Sequence, residues 1–307
     1  MQIFNSEGII EMLKIQFLNG GLANQVFQYI FARYYELSHS GEIMYMDDSY
    51  FALNMVHNGY ELEKVFGLKP HMLSELFDEE VWEYILSEKR KGKSVPQILL
   101  DSGEPFIMVS ELNSYNSFNP FNGEVYLVKE AFNPKIQDIP ENVYYHGYWV
   151  NKGWFIGGGY EEIFRKELQF PPMEDDRNRR WQEDIVTGNS VSIHIRRGDY
   201  VSLGYAFDIQ IYHELIDRYI KDCSNDWTLY VFSDDIAWCR TNSEALGLNL
   251  FHKTVFVEGN TQGNNFRDLQ LMSQCKGMIV SNSSFCYLAA LLNTNKKCVL
   301  NRTDRDI

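Results

Sequence analysis

The residues best suited to chemistry stand together at positions 191–200, whose sequence is VSIHIRRGDY. Apolar and polar residues alternate up to position 195, a period of two that predicts a strand, and a glycine then interrupts the pattern. Side chains at i and i+2 of a strand share a face, so His194 and Arg196 are expected to project to one side and Arg197 to the other. A planar, permanently charged guanidinium suits a phosphate or a carboxylate. The segment is a candidate anion site, although most arginine pairs beside an aspartate are structural ion pairs.

A second predicted strand ends in a carboxylate pair. Residues 228–235 read TLYVFSDD, so Asp234 and Asp235 follow the strand directly. One of them is expected to cap the next helix. The other could accept, side by side, the two hydrogen bonds that guanine offers from N1–H and its exocyclic amine.

A third strand leads into a serine turn. Residues 276–293 read KGMIVSNSSFCYLAALLN, a pattern that predicts a buried strand, a turn and an apolar helix. Ser283 or Ser284 is expected to cap this helix, and a helix start also favours an anion by ~0.3 to 1 kcal/mol. Open α/β sheets bind ligands outside the carboxyl ends of their strands. The three strand ends together offer the groups that a nucleoside diphosphate needs for binding: two guanidiniums with an imidazole, a carboxylate pair and a capped helix start.

The amino-terminal part contains one more turn between a strand and a helix. Residues 14–18 read as a strand, and GGLANQ then opens a helix that runs to a glycine at position 41. As a dinucleotide fingerprint the turn is poor, because a third glycine is missing, and it is otherwise an ordinary tight turn. Its amides, Asn24 and Gln25, could cap the helix or reach into an interdomain cleft. We interpret the aromatic residues at 144–155 as packing between the domains rather than as a platform on which a sugar stacks.

Composition excludes several classes of protein. The 307 residues are 45% hydrophobic, enough for a large core and two domains. There are 28 basic and 42 acidic residues, and the net charge of −14 opposes binding to nucleic acid. Five cysteines without a CxxC suggest neither a disulfide framework nor a zinc site. The amino terminus lacks the pattern of a secretory signal, and no apolar run approaches the ~20 residues that cross a bilayer, so a cytoplasmic protein is expected.

The order of elements predicts an α/β fold. From residue 191 onward, strands alternate with helices, which indicates βαβ units in a mostly parallel, Rossmann-like sheet. Residues 94–105 and 113–123 are predicted to be loops. We expect residues 1–11 to be a dispensable extension, residues 12–175 to form one domain and residues 176–307 to form the other.

Several segments, in order, resemble the α-1,2-fucosyltransferase family of bacteria and animals, glycosyltransferase family 11. HIRRGDY resembles the HxRRxD signature of that family. The other matching segments are GGLANQVFQYIFARY, YYHGYW, FSDD and DLQLMSQCKGMIVSNSSFCYLAALL. The resemblance runs from residue 14 to about residue 300. It implies a GT-B-like fold, in which two Rossmann-like domains face a cleft and the carboxyl-terminal one holds most of GDP-β-L-fucose.

The resemblance also implies roles for single residues. Arg196 would hold the diphosphate and act in catalysis, while His194 and either Asp234 or Asp235 would hold the guanosine. Asn24, from the acceptor-side domain, would face the fucose and the acceptor as a second catalytic residue. Further residues would lie near the phosphate or the base, namely Ser283, Ser284 and Phe285. Arg197 and Asp199 would form a structural pair behind the site.

The activity that the resemblance implies is an inverting galactoside α-1,2-fucosyltransferase. It would use GDP-fucose as a substrate, with no cofactor and no metal ion, and a galactose-terminated oligosaccharide or glycolipid as acceptor. Membrane association would be peripheral at most. Two alternatives stay open: transfer of another GDP-sugar or to another position, and a GDP-sugar-binding module without catalysis.

Overall fold

The computed structural model describes residues 12–54, 58–112, 121–223, 226–261, 263–296 and 298–301. Two compact units, called unit 1 and unit 2, meet in the chain between Gln169 and Phe170. The boundary expected from the sequence lies a few residues later, after position 175. The predicted extension at residues 1–11 lies outside the described residues.

Unit 1 contains a parallel five-stranded sheet in the order β2-β1-β5-β3-β4. Its strands are β1 Lys14–Phe17, β2 Met44–Asp47, β3 Ile107–Glu111, β4 Val125–Val128 and β5 Val143–His146. Its α-helices are α1 Leu22–Ser38, α2 Ser49–Leu53, α3 Leu62–Phe66, α4 Glu79–Arg90, α5 Val95–Asp101, α6 Lys152–Ile156 and α7 Glu161–Glu167.

Unit 2 contains a second parallel five-stranded sheet, in the order β10-β9-β6-β7-β8. Its strands are β6 Ser190–Ile195, β7 Thr228–Ser233, β8 Lys253–Phe256, β9 Gly277–Val280 and β10 Cys298–Asn301. Its α-helices are α8 Asp176–Thr187, α9 Gly198–Leu203, α10 Ile209–Asp222, α11 Ile236–Thr241, α12 Phe266–Met272 and α13 Ser284–Leu292. The predicted alternation of strands and helices, and the α/β class, are confirmed.

Two local predictions for unit 1 were wrong. The segment 94–105 is not a loop but contains α5, which Ser94 caps by accepting the N–H of Gln97 at 3.3 Å. A serine followed by an early proline is a helix-start signal. The aromatic segment that begins with β5 packs inside unit 1, where the buried Trp149 ring stacks on Phe31 with centroids 4.4 Å apart.

The core of unit 2 lies between its sheet and α10. Apolar residues of β6 and β7 pack there against Leu215, Ile216 and Tyr219 of that helix. The cysteines depart in part from expectation: Cys223 is disulfide-bonded, while other described cysteines, such as Cys239, are free and buried. Among the described residues, no helix has both the length and the apolar character needed to span a membrane.

Candidate functional site

The polar residues that follow β6, β7 and β9 meet at one edge of the second sheet, because β6 lies between the other two strands. Ser233 joins the first two strand ends. Its Oγ donates to the carbonyl oxygen of Ile195 at 2.6 Å and accepts the N–H of Asp235 at 3.0 Å. Sequence reasoning missed Ser233, although a serine ahead of an aspartate pair at a strand end is a turn signal.

Arg196 is held as a fork between two carboxylates. Its Nη1 lies 2.9 Å from Oδ2 of Asp234, and its Nη2 lies 2.7 Å from Oδ1 of Asp199. The guanidinium also lies 5.6 Å from the ring centroid of Tyr200. Since 28% of the side chain is exposed, the fork is oriented by the protein and still open to a ligand.

Arg197 has different partners. Its guanidinium lies 3.5 Å from the ring centroid of Trp238, and its Nε lies 3.5 Å from Oδ2 of Asp235. Asp235 also accepts the N–H of Trp238 at 3.0 Å, so it is the member of the pair that caps the next helix, α11. The expected pair between Arg197 and Asp199 is not formed, because Asp199 is paired with Arg196 instead.

His194 points into the protein beside the start of α13. Its side chain is buried, its Nδ1 has no hydrogen-bond partner among the described residues, and its ring centroid lies 5.4 Å from that of Phe285. Burial, and then the charge of Arg196, lowers the pKa of His194 to about 3. The imidazole is therefore neutral near pH 7, and its buried Nδ1 keeps an unused capacity for a hydrogen bond within the described residues.

The start of α13 is fixed by two side chains. Ser283 is the capping residue, and its Oγ accepts the N–H of Phe285 at 3.3 Å, while Ser284 is the first helical residue. Asn282 donates from Nδ2 to the carbonyl oxygen of Tyr205 at 2.7 Å, which ties the helix start to the segment after α9. Asn282 and Tyr205 were not singled out from the sequence.

Asn24 and Gln25 both lie in unit 1, but their structural surroundings differ. Helix α1 begins at Leu22 with Gly21 at its cap, so Asn24 stands in the first turn rather than at the capping position. Gln25 is fully buried; its Nε2 donates to the carbonyl oxygens of Gly20 and residue 59, both at 2.9 Å. Gln25 therefore stabilises the turn from within unit 1. The catalytic role of Asn24 stays a prediction.

The edge of the second sheet thus brings together most of the predicted site residues. They are His194, Arg196, Arg197, Asp199, Asp234, Asp235, Ser283, Ser284 and Phe285. Within the described ranges, no cluster of three His, Cys, Asp or Glu side chains is arranged to hold a metal ion. An open guanidinium, a neutral imidazole and a helix start can bind a diphosphate and stabilise negative charge that develops on it.

Comparison with known proteins extends over nearly the whole chain. The family model described as "Glycosyl transferase family 11" matches residues 14–306. An Escherichia coli alpha-1,2-colitosyltransferase is 29% identical over 282 residues, which span 90% of this chain and 86% of that protein. The bovine galactoside 2-alpha-L-fucosyltransferase SEC1 is 34% identical over 111 residues, 33% of this chain and 28% of that protein.

Two solved structures share the fold. Fucosyltransferase NodZ from Bradyrhizobium superposes with a TM-score of 0.51 at 12% identity, covering 91% of this chain and 93% of its own. A variant of Arabidopsis thaliana FUT1 in complex with GDP gives the same TM-score and identity over 99% of this chain and 73% of its own. The two parallel sheets with flanking helices are the α/β fold of GT-B glycosyltransferases, and the chain belongs to glycosyltransferase family 11.

Proposed function

We propose that the protein transfers L-fucose from GDP-β-L-fucose to the 2-hydroxyl of a terminal galactoside, with inversion at the sugar carbon. The observation that carries this proposal is the edge of the second sheet, where Arg196 presents an open fork and the His194 ring, whose Nδ1 has no partner among the described residues, lies beside Phe285 of α13. Family membership and the partial similarity to a bovine galactoside 2-alpha-L-fucosyltransferase support it.

Different residues of unit 2 would bind different parts of the donor. Arg196 would bind the diphosphate and stabilise the charge of the departing GDP, together with the dipole of α13. His194 and one of Asp234 or Asp235 would bind the guanosine, and the start of α13 would lie near the phosphate or the base. In unit 1, Asn24 would contact the fucose or the acceptor.

One observation favours a second donor. A relative that matches 90% of this chain is named an alpha-1,2-colitosyltransferase. Colitose is fucose without its 3-hydroxyl, so GDP-colitose would present the same diphosphate and base to unit 2. A site that hydrogen-bonds the 3-hydroxyl of fucose would reject colitose strongly, whereas an apolar contact there would discriminate weakly.

The experiment is to incubate the purified protein with GDP-fucose or GDP-colitose and lactose, and to measure the mass and the linkage of the product. A fucosylated product linked through the galactose 2-hydroxyl is expected, in larger amount than the colitosylated one. The larger yield from GDP-colitose would reverse the assignment of the donor. If GDP binds but neither sugar is transferred to any of a panel of galactosides, the protein is a GDP-sugar-binding module.

A further inference from the structure

We propose that Asn282, the second residue after β9, is a positioning residue: it holds the short helix α9 in place, and α9 in turn orients the guanidinium of Arg196. Asn282 would act on the departing diphosphate only through Arg196. The effect on α9 stands on contacts within unit 2, whereas the effect on the reaction rests on the proposed function.

Helix α9 buries no side chain that could keep it in place. It is six residues long, and two of its apolar side chains, Val201 and Leu203, are 52% and 58% exposed. It ends at Gly204, whose φ of +72° lies in the left-handed region. A helix this short is not stable in water by itself, so contacts with other elements must fix its position.

The position of α9 determines that of the Arg196 guanidinium. Asp199, in the first turn of the helix, lies 2.7 Å from Nη2 of Arg196, and the ring centroid of Tyr200 lies 5.6 Å from the guanidinium. The other nitrogen of the fork, Nη1, pairs with Asp234 after β7 at 2.9 Å. One side of the fork therefore depends on α9, and the other side depends on a strand end that belongs to the sheet.

Asn282 ties the carboxyl-terminal end of α9 to the second sheet. Its Nδ2 donates to the carbonyl oxygen of Tyr205, which follows the helix, at 2.7 Å. The N–H of Tyr205 donates in turn to the carbonyl oxygen of Tyr200 at 2.8 Å, and the two tyrosine rings pack edge to face with centroids 6.0 Å apart. Asn282 is therefore linked through Tyr205 to the helix that contacts Arg196.

Asn282 is itself held by regular structure on both sides. The strand before it, β9, is buried and pairs with β6 in parallel. Between this strand and Asn282, the buried Ser281 has its Oγ 3.4 Å from Sγ of Cys286 in α13. The next residue, Ser283, caps the same helix. The side chain of Asn282 is therefore presented to Tyr205 from a fixed point of the backbone.

The orientation of the Asn282 amide follows from its partner. A carbonyl oxygen accepts hydrogen bonds and cannot donate them, so the amide nitrogen must face Tyr205. The oxygen Oδ1 then lies on the other side, where it is buried and has no hydrogen-bond partner among the described residues. Within the described part of the chain, the nitrogen is thus the end of the amide that is in use, and a substitution that removes it should release α9.

The first test measures hydrogen exchange along the full chain without ligand, in wild type and in Asn282→Ala. Exchange at residues 198–206 should become faster than in wild type, and more so than elsewhere in unit 2, because α9 can open without exposing a buried side chain. Equal exchange of this segment in the two proteins would overturn the proposal, whatever sugar the protein transfers.

Asn242→Ala is the matched control. The Nδ2 of Asn242 also donates to a backbone carbonyl oxygen, that of Trp238 at 2.9 Å, and it lies at the end of another six-residue helix, α11. Its bond stays within its own helix end, so its loss should leave the exchange of residues 198–206 unchanged.

The second test measures kcat/KM for GDP-fucose, with lactose as the acceptor. Displacement of a catalytic group by ~1 Å can cost on the order of 100-fold, so Asn282→Ala should lower kcat/KM about 10- to 100-fold. Asn282→Asp keeps the shape of the side chain but has no N–H to donate, so its loss should be as large. Asn242→Ala should match wild type.

A double-mutant cycle separates a positioning role from a general loss of stability. If Asn282 acts through Arg196, Asn282→Ala should cost far less in the Arg196→Lys background than in wild type, because the two residues then act as a unit. Losses of equal size in both backgrounds, or an Asn282→Ala protein with wild-type kcat/KM, would overturn the role of Asn282 alone.

The proposed function fails on a different result. A wild-type protein that transfers neither fucose nor colitose would overturn it, and the affinity for GDP, measured by calorimetry, would then replace kcat/KM in the cycle. An affinity that Asn282→Ala lowers in wild type but not in Arg196→Lys would still support the positioning role. An affinity that Asn282→Ala leaves unchanged in wild type would overturn that role.

Discussion

Asp234 orients both arginines of the segment HIRRGD: its Oδ2 lies 2.9 Å from Nη1 of Arg196, and its Oδ1 accepts the backbone N–H of Arg197 at 2.8 Å. A residue that follows β7 thus fixes the chain that leaves β6. With Asp199 on its other nitrogen, the Arg196 fork is set before any ligand arrives. Such preorganisation is what makes a fixed cation effective against charge that develops during a reaction.

Replacing Arg196 by lysine should remove most of the activity from a folded protein. A guanidinium can pair with two carboxylates and still present an edge to a diphosphate, whereas an ammonium is a single point of charge. If the loss resembles that of an oxyanion donor, kcat/KM for GDP-fucose should fall about 100- to 1000-fold, or ~2.7 to 4 kcal/mol. A variant within a few-fold of wild type would show that Arg196 does not meet the leaving group.

Arg197→Lys is the matched comparison, and its effect should be on stability. The Arg197 guanidinium lies 3.5 Å from the Trp238 ring centroid, a stacked contact that lysine reproduces poorly. We expect the free energy of unfolding to fall by about 1 to 2 kcal/mol, with kcat/KM much less affected than in Arg196→Lys. Urea unfolding and kinetics on both variants measure the difference.

The nucleotide preference should be for guanine. GDP at ~100 times its Kd should stabilise the protein by about 2.7 kcal/mol, seen as a raised melting temperature, and ADP should not. Asp235 is engaged as a helix cap, so comparing Asp234→Asn with Asp235→Asn tests which carboxylate contacts the base. Equal protection by GDP and ADP would contradict the guanosine assignment.

The transfer should proceed without a divalent metal ion. Under the proposed function, Arg196 would supply positive charge beside the diphosphate, and Asp234 and Asp235 are adjacent rather than spaced as D-x-D. The rate in EDTA should equal the untreated rate. A rate abolished by EDTA and restored by manganese would refute this prediction.

Much of unit 2 could be read from the sequence because its signals are local. Alternating apolar residues, a serine cap ahead of Phe285 and the carboxylates after β7 each depend on a few neighbouring residues. Which carboxylate pairs with which arginine could not be predicted, because Asp199 and Asp234 reach Arg196 from different elements and bind different nitrogens of its guanidinium. Such a pairing depends on how the strand ends are placed in space.

Unit 1 was harder to predict because its packing depends on contacts between residues that lie far apart in the sequence. The aromatic segment from residue 144 gave no sign that Trp149 would stack inside unit 1 on Phe31, far away in sequence. Gln16 and Gln28 look like surface residues but are fully buried, and they share the carbonyl oxygen of Gly147. Buried amides of this kind are recognisable only when their partners are known.

Acid should destabilise the protein through His194, whose pKa burial lowers from 6.5 to about 3. As the pH falls from 6.5 towards 3, the unfolded chain takes up a proton that the folded one excludes, so the free energy of unfolding decreases. His194→Asn removes this contribution. Between pH 7 and pH 5 the wild type should lose about 2 kcal/mol more than the variant, at ~1.4 kcal/mol per pKa unit. Urea unfolding at both pH values checks this, and equal losses would contradict it. His146, with its pKa lowered to about 4, adds the same trend to both proteins.

Gly198→Ala should damage the site without unfolding the protein. A Cβ at position 198 would lie 2.5 Å from Oδ2 of Asp234, so the carboxylate that orients Arg196 must move. Gly198 begins helix α9, where alanine is favoured, and no backbone strain opposes the change. Because displacement of a catalytic group by ~1 Å can cost on the order of 100-fold, we expect kcat/KM to fall about 10- to 100-fold.

Gly204→Ala is the control for Gly198→Ala. Gly204 ends the same helix, but at this position glycine is favoured by the backbone conformation and not by a lack of space for a Cβ. Its φ is +72° with open space around a Cβ, so alanine there should cost about 1 kcal/mol of stability through backbone strain and leave the site unchanged. The two variants should therefore differ: Gly198→Ala should have a lowered kcat/KM, and Gly204→Ala should have a lowered melting temperature. If Gly198→Ala keeps wild-type kcat/KM, then Asp234 can shift without disturbing Arg196, and the orientation of the fork depends on Asp199 instead.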